Sequence, residues 1–252
     1  MLRTEAKGEI LIATVDRPSA RNALDLATIT EVTRLFQELP PGVRAVVLTG
    51  GSGTFVSGGD LRQLRGRAGL EETELFCDVG RAMCDSLEDC GVPVIAALEG
   101  SAIGGGAELA MACDLRIMAS DAMLAFRQAR MGVTTAWGTF ARLVATCGAG
   151  RAADLLYSAG TFGGLEAQAG GLVESVTPPG RALETAIARG NEIARGAPLA
   201  VRGLKDLVRA ARRDQALRAL ERERFIATWT SADHAEAVEA YFEKRPPVFV
   251  GR

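Results

Sequence analysis

The chain has 252 residues, a formal net charge of −2 and 48% hydrophobic residues. That is enough apolar material for one large core and excludes a disordered chain. The near-neutral charge gives no chain-wide reason to expect nucleic acid or an anionic membrane as partner. Cys77, Cys84, Cys90, Cys113 and Cys147 contain no Cys-x-x-Cys pair, which disfavours a disulfide scaffold or a zinc site and suits buried thiols. The stretch Met1 to Glu5 is polar, and no run of about 18 apolar residues occurs anywhere, so a cytoplasmic protein is expected.

Gly8 to Val15 reads as a β-branched strand, followed by a turn at Arg17, Pro18 and Ser19. Asp25 can cap a helix in which Leu26, Ile29, Val32, Phe36 and Leu39 recur at helical spacing until Pro40 and Pro41. Ala45 to Thr49 is a continuous apolar run, as in a strand buried on both faces. A glycine-rich loop from Gly50 to Gly59 leads to Asp60 and a short helix, and Glu71 to Cys90 is a longer amphipathic one. Val94 to Leu98 is the next buried strand; Gly104, Gly105 and Gly106 then precede a helix starting near Ala107. Leu115 to Met118 and Leu172 to Val176 are further short strands. The repeated order of strand, glycine turn and helix predicts an α/β fold with parallel strands.

From Arg181 onward only helical patterns remain, over residues 181–195, 198–211, 214–229 and 233–244. We therefore expect an α/β core over 1–195 and a helical region over 196–252. The helical region should cover the core or a neighbouring subunit.

Several chemistries drop out at once. His234 is the single histidine and sits at a helix start, where a solvated first-turn residue is the default. No Walker-type phosphate loop exists, and Leu109 occupies the last glycine position of a dinucleotide fingerprint. Two glycine loops remain, each following a buried strand: Ser57, Gly58, Gly59, Asp60, Leu61, and Gly104, Gly105, Gly106, Ala107, Glu108. Ligands gather at that edge of an α/β sheet, and glycine lets backbone N–H groups reach them. A helix starting after such a loop also leaves amide donors unpaired. Either loop alone reads as a tight turn. Glu108, in the first helical turn, either serves the helix dipole or faces whatever the amides bind.

The ordered set of segments resembles the enoyl-CoA hydratase/isomerase (crotonase) superfamily. It runs from Pro18-Ser19-Ala20-Arg21-Asn22-Ala23-Leu24, through the two glycine loops up to Asp114, to Met131-Gly132, Trp137-Gly138, Arg142-Leu143 and Gly170-Gly171-Leu172-Val173. It ends in Tyr241, Lys244, Arg245 and Pro246. The resemblance implies a superhelix of strand–strand–helix turns with a C-terminal helical trimerisation region, and trimers or dimers of trimers. It implies an oxyanion hole from the N–H groups of Gly59 and Gly105, and an acyl-CoA substrate held along Arg21, Ala23, Ser57, Asp60 and Leu61. Tyr241 and Lys244, the latter from a neighbouring subunit, would meet the coenzyme A phosphates. No metal or permanent cofactor is implied.

One departure concerns the reaction. Family hydratases use two glutamates; Glu108 matches one and Gln128 stands at the other. An amide orients water but cannot trade protons at neutral pH. Arg127 and Arg130 flank this position, as carboxylate binders or, by default, surface arginines. The stretch from Phe126 to Gly138 also resembles decarboxylases of branched malonyl-CoA esters. The expected activity is thus hydratase-type with Glu108 as acid/base, with decarboxylation of a methylmalonyl- or ethylmalonyl-CoA-type ester as the alternative. A non-catalytic thioester- or RNA-binding relative is a third reading that the glycines and Glu108 disfavour.

Overall fold

A computed structural model describes residues 1–65 and 69–251. The chain begins with an antiparallel hairpin, β1 (Leu2–Lys7) and β2 (Ile10–Val15), followed by a 3-10 turn at Pro18–Ala20 and α1 (Leu26–Gln37). Asp25 caps α1 as its position suggests, its carboxylate accepting from Thr28 N at 2.7 Å. Three similar turns come next. The first is β3 (Ala45–Gly50), β4 (Thr54–Val56), α2 (Leu61–Leu64) and α3 (Leu70–Asp89). The second is β5 (Val94–Leu98), β6 (Ser101–Ile103) and α4 (Gly105–Ala112). The third is β7 (Leu115–Ala119), β8 (Met123–Ala125), a 3-10 turn at Gln128–Met131 and α5 (Thr139–Ser158). The chain continues through β9 (Phe162–Gly163), α6 (Gly164–Ala169), β10 (Ser175–Thr177), α7 (Ala182–Ala194), α8 (Pro198–Arg212), α9 (Gln215–Trp229) and α10 (Ala232–Glu243).

Each turn places its first strand in one sheet and its second strand in another. The large sheet has the order β1-β2-β3-β5-β7-β10, parallel from β2 to β10; the small one has the order β4-β6-β8-β9, parallel except for β9. This is a strand–strand–helix superhelix. The apolar runs of β3 and β5 are fully buried, since parallel strands are covered on both faces. Strands β4, β6, β8 and β9 carry too few residues for an alternating pattern. Strand β1 is an exposed polar edge, which hides it from any hydrophobic signal.

The predicted strand over Leu172 to Val176 lies later, at Ser175–Thr177. Leu172 N instead closes the end of α6 on Ala167 O at 2.8 Å, and its carbonyl accepts from the buried Arg116 guanidinium. The helical tail divides in its packing. Helix α7 lies on β3, β5 and β7, whereas α8 contacts α5, α9 contacts α3 and α5, and α10 contacts α9 and the Gln128–Met131 turn.

The seam between α9, α3 and α5 is ionic. Arg142, fully buried, donates to Glu88 at 2.8 Å and to Asp85 at 3.2 Å, and Arg218 reaches the same two carboxylates at 2.9 and 2.8 Å. Burial alone would push the Glu88 carboxyl up; Arg142, Arg218 and Arg213 outweigh it and hold it at about 2. Four of the cysteines are buried and Cys147 partly so. Burial raises Cys77 and Cys113 to about 12, so they behave as small hydrophobes. Among the described residues, no helix is long and apolar enough to cross a membrane.

Candidate active site

The two glycine loops meet. Gly59 forms a parallel bridge with Leu24, in which Leu24 N donates to Gly58 O and Asp60 N donates to Leu24 O. That pattern turns the Gly59 amide away from Leu24, and its N–H has no acceptor among the described residues. Gly105 is the first residue of α4, so its N–H has no intrahelical partner. A methyl group on Gly105 would stand 3.5 Å from Gly59 N, and one on Gly58 would stand 3.7 Å from Gly105 N. Gly58, at φ 112°, adopts a conformation that side-chain-bearing residues rarely reach. Two unpaired donors therefore face one small volume.

Trp137 encloses that volume. The same methyl on Gly105 would lie 2.7 Å from Trp137 Cη2, and one on Gly80 of α3 would meet Trp137 Nε1 at 2.0 Å. The indole is thus wedged between two glycines, 2% exposed. It covers the start of α4 with an apolar wall on one side of the cavity.

Glu108 sits one helical turn past Gly105 and is 4% exposed. Its two oxygens differ. Oε2 accepts from Ala136 N and Trp137 N, each at 3.2 Å, and from Thr139 Oγ1 at 2.7 Å. Oε1 accepts only from Gln128 Nε2, at 2.8 Å. With Oε2 saturated, Oε1 is the oxygen with acceptor capacity left. Burial, then the charge of Glu221, raise the Glu108 pKa above the ordinary glutamate value, against the opposing pull of its donors. The same amide donation leaves Gln128 Oε1 buried without a hydrogen-bond partner among the described residues.

A cavity of about 460 Å³ opens from these groups and is lined by Arg21, Ser57, Gly59, Leu61, Gly105, Glu108, Gln128 and Tyr241, all predicted from sequence. Ala23, Asp60 and Lys244 line an adjoining cavity of about 530 Å³ that shares Arg21, Ser57, Gly59, Leu61 and Tyr241 with the first. All the predicted residues therefore lie along one cleft, Tyr241 and Lys244 of this chain among them. Three of them have structural duties as well. Asp60 caps α2 and pairs with Arg17 at 3.0 Å, the Ala23 carbonyl accepts from Arg17, and Arg21 Nη2 meets Tyr241 Oη at 3.4 Å. Arg21, Arg62 and Lys244 make the outer cavity basic, Arg17 being paired with Asp25 and Asp60.

His234 corrects its expectation. It is 5% exposed, its Nδ1 lies 2.7 Å from Met131 O, and its ring stacks 4.4 Å from Trp229. Burial lowers its pKa, so a neutral ring faces the cavity. Its backbone packs on Gly132, where a methyl would meet His234 N at 2.8 Å. Arg127 and Arg130 also line the cavity, though Arg127 is engaged with Ala159 O at 2.6 Å and with Thr161 Oγ1. Phe76, Phe225 and Trp229 form an aromatic wall that sequence reading missed. Two of the three come from α9, far along the chain, and their local pattern reads only as core. Among the described residues, no group of three His, Cys, Asp or Glu side chains could hold a metal ion.

Residues 5–252 match the family model for enoyl-CoA hydratase/isomerase. A short-chain-enoyl-CoA hydratase of Clostridium acetobutylicum is 35% identical over 247 residues, covering 96% of this chain and 94% of that one. A putative enoyl-CoA hydratase of Thermus thermophilus is 34% identical over 249 residues, covering 96% and 98%. The crystal structure of an enoyl-CoA hydratase from Bacillus anthracis superposes with a TM-score of 0.80 at 30% identity, covering 100% of this chain and 99% of that one. That of an enoyl-CoA hydratase/isomerase from Pseudoalteromonas atlantica reaches 0.87 at 25% identity, covering 99% of each. The superhelix, the converging glycine loops and these matches place the chain in the enoyl-CoA hydratase/isomerase family, with its crotonase fold.

Proposed function

We propose that this protein hydrates an enoyl-CoA thioester with Glu108 as its sole acid/base group. The observation that carries this is the asymmetric carboxylate: Oε2 is locked by three donors, while Oε1 accepts only from Gln128 Nε2, and both residues line the cavity. A water donating one hydrogen to Glu108 Oε1 points its lone pairs away from that oxygen, toward a bound acyl chain. Attack on the β-carbon moves charge onto the thioester oxygen, where the Gly59 and Gly105 amides form the oxyanion hole. One such donor is worth about 3–4 kcal/mol at the transition state. Glu108 takes the water proton and returns it to the α-carbon, so H and OH add across the double bond and the carboxylate is regenerated. The basic outer cavity, with Arg21, Lys244 and Tyr241, holds the coenzyme A phosphates, and no metal or permanent cofactor takes part.

A second reading, decarboxylation of an alkylmalonyl-CoA, is favoured by one observation. Glu108 is the one carboxylate among the described residues lining the inner cavity, where Arg127 and Arg130 also stand. Loss of CO2 would leave its bonding pair in the enolate, and a protonated Glu108 would then protonate the α-carbon. Incubation with crotonyl-CoA and with ethylmalonyl-CoA, followed by mass spectrometry of the thioesters, separates the two. Gln128→Glu sharpens the test. It adds the second carboxylate beside Glu108 and is expected to raise crotonyl-CoA hydration about tenfold or more, while repelling a malonyl substrate. Turnover of ethylmalonyl-CoA alone by the unaltered protein rules hydration out.

We also propose self-association as a trimer or a dimer of trimers. Leu204, Leu207 and Val208 on α8 recur at helical spacing yet stay exposed in the single chain, as does Leu199. Light scattering is expected to give a trimer or hexamer mass; a stable, active monomer excludes it.

A further inference from the structure

Residues 135–140, a loop after the Gln128–Met131 turn that runs into the first residues of α5, are fastened from four helices. From α4, Glu108 takes the Ala136 and Trp137 amides and the Thr139 hydroxyl. From α9, Glu221 Oε1 takes the Phe140 amide at 2.9 Å and the Thr135 hydroxyl. Arg81 of α3 donates to Ala136 O at 3.3 Å, and Arg142 of α5 donates to Trp137 O. The loop thus hangs between two buried carboxylates, and it carries both the donors that lock Glu108 Oε2 and the indole over Gly105.

Glu221 is 6% exposed and does not line the inner cavity, so it cannot touch a bound thioester there. Its Oε2 has no hydrogen-bond partner among the described residues. Arg81 Nη2, 3.8 Å away, is divided between two carbonyls, Ala136 O and Arg218 O. A buried carboxylate so weakly compensated is costly to keep for structure alone.

We propose that Glu221 is a positioning residue for Glu108, holding the 135–140 loop on one carboxylate while opposing the charge of the other. This rests on the acid/base role given to Glu108 above. The geometry explains why such a residue is useful. A carboxylate saturated with donors is a weak base, because each hydrogen bond to the charged form favours that form. A like charge in the same low-dielectric interior counters this and restores basicity without displacing a donor. Other titratable groups facing Glu108 or sharing its cavity are Cys77 and Cys84 on α3, His234 on α10, and Arg127 and Arg130, while Arg81 on α3 and Arg142 on α5 bind carbonyls of the loop. Burial and then Glu221 are the main influences that raise Glu108.

The sign follows. Hydration needs ionised Glu108, so kcat/KM falls as pH drops through the Glu108 pKa. Glu221→Gln keeps an oxygen for Phe140 N and Thr135 but removes the charge. Its acid limb is expected at lower pH than in the unaltered protein, with a lower plateau because Glu108 becomes a weaker base. Glu221→Leu removes the acceptors too, frees the loop, and is expected to lose about 10²-fold at every pH. Arg81→Gln is an independent arm: with less positive charge beside Glu221, the limb should move to higher pH. A limb in Glu221→Gln coinciding with that of the unaltered protein overturns the proposal. Should that variant not fold, an unmoved limb in Arg81→Gln overturns it equally. Glu108→Gln, run in the same series, keeps the failures apart. Full activity there defeats the hydration reading itself, whereas an inactive Glu108→Gln with an unmoved Glu221→Gln limb defeats only the role of Glu221.

Discussion

Replacing Glu108 with glutamine is expected to lower turnover of crotonyl-CoA by about 10²–10⁴-fold, the usual worth of a general acid–base group. The protein should remain folded and bind thioester normally, for a reason visible in the hydrogen bonds. The new side-chain oxygen can occupy the Oε2 position and keep the donors from Ala136, Trp137 and Thr139. The new NH2 group then faces Gln128, whose amide turns over so that its oxygen accepts. Every local bond survives, but no group can carry the proton. Stopped-flow absorbance at the enoyl thioester band, with product mass, measures the loss. Full activity in a folded variant would falsify the acid/base assignment for either substrate class.

The second large effect is expected at Gly105. Gly105→Pro removes one N–H and nothing else from the hydrogen-bond inventory, because the first residue of a helix has no intrahelical acceptor and proline is well tolerated there. Any side chain at this position also pushes on Trp137, since a Cβ would lie 2.7 Å from the indole. Gly105→Ala carries the same Cβ and keeps the N–H, so it serves as the steric control. Turnover of Gly105→Pro should fall about 10²–10³-fold below that of Gly105→Ala, as for other single oxyanion donors. KM should differ little between the two, because the amide matters most when charge has moved onto the thioester oxygen. Equal turnover in the two variants would remove Gly105 from the oxyanion role.

How much of this could be read from residues alone depends on the range of the interactions involved. The buried strands β3 and β5 announce themselves by unbroken apolar runs, and α1 by its spacing and its Asp25 cap, because these signals are local. The glycine loops could be located for the same reason, since only glycine leaves room for an amide to approach a ligand. Glu108 and Gln128 could be singled out by type and place.

What residue order could not supply was anything resting on contacts across the chain. Glu108 lies 20 residues from Gln128 and 31 from Thr139, and the inequality of its two oxygens arises only when those partners meet around it. His234 looked like a solvated cap because its helix start is ordinary; burial under Trp229 and against Met131 O made it part of the cavity wall. Glu221 carried no local signal at all. A glutamate in the Glu221-Arg222-Glu223-Arg224 run reads as solvent-facing, and only the docking of α9 onto α3 and α5 buries it beside the loop that holds Glu108. Local sequence thus determined which groups were available for chemistry. Tertiary packing decided their charge environment and the unequal bonding of the two Glu108 oxygens, because desolvation and Coulomb forces depend on distance in space rather than along the chain.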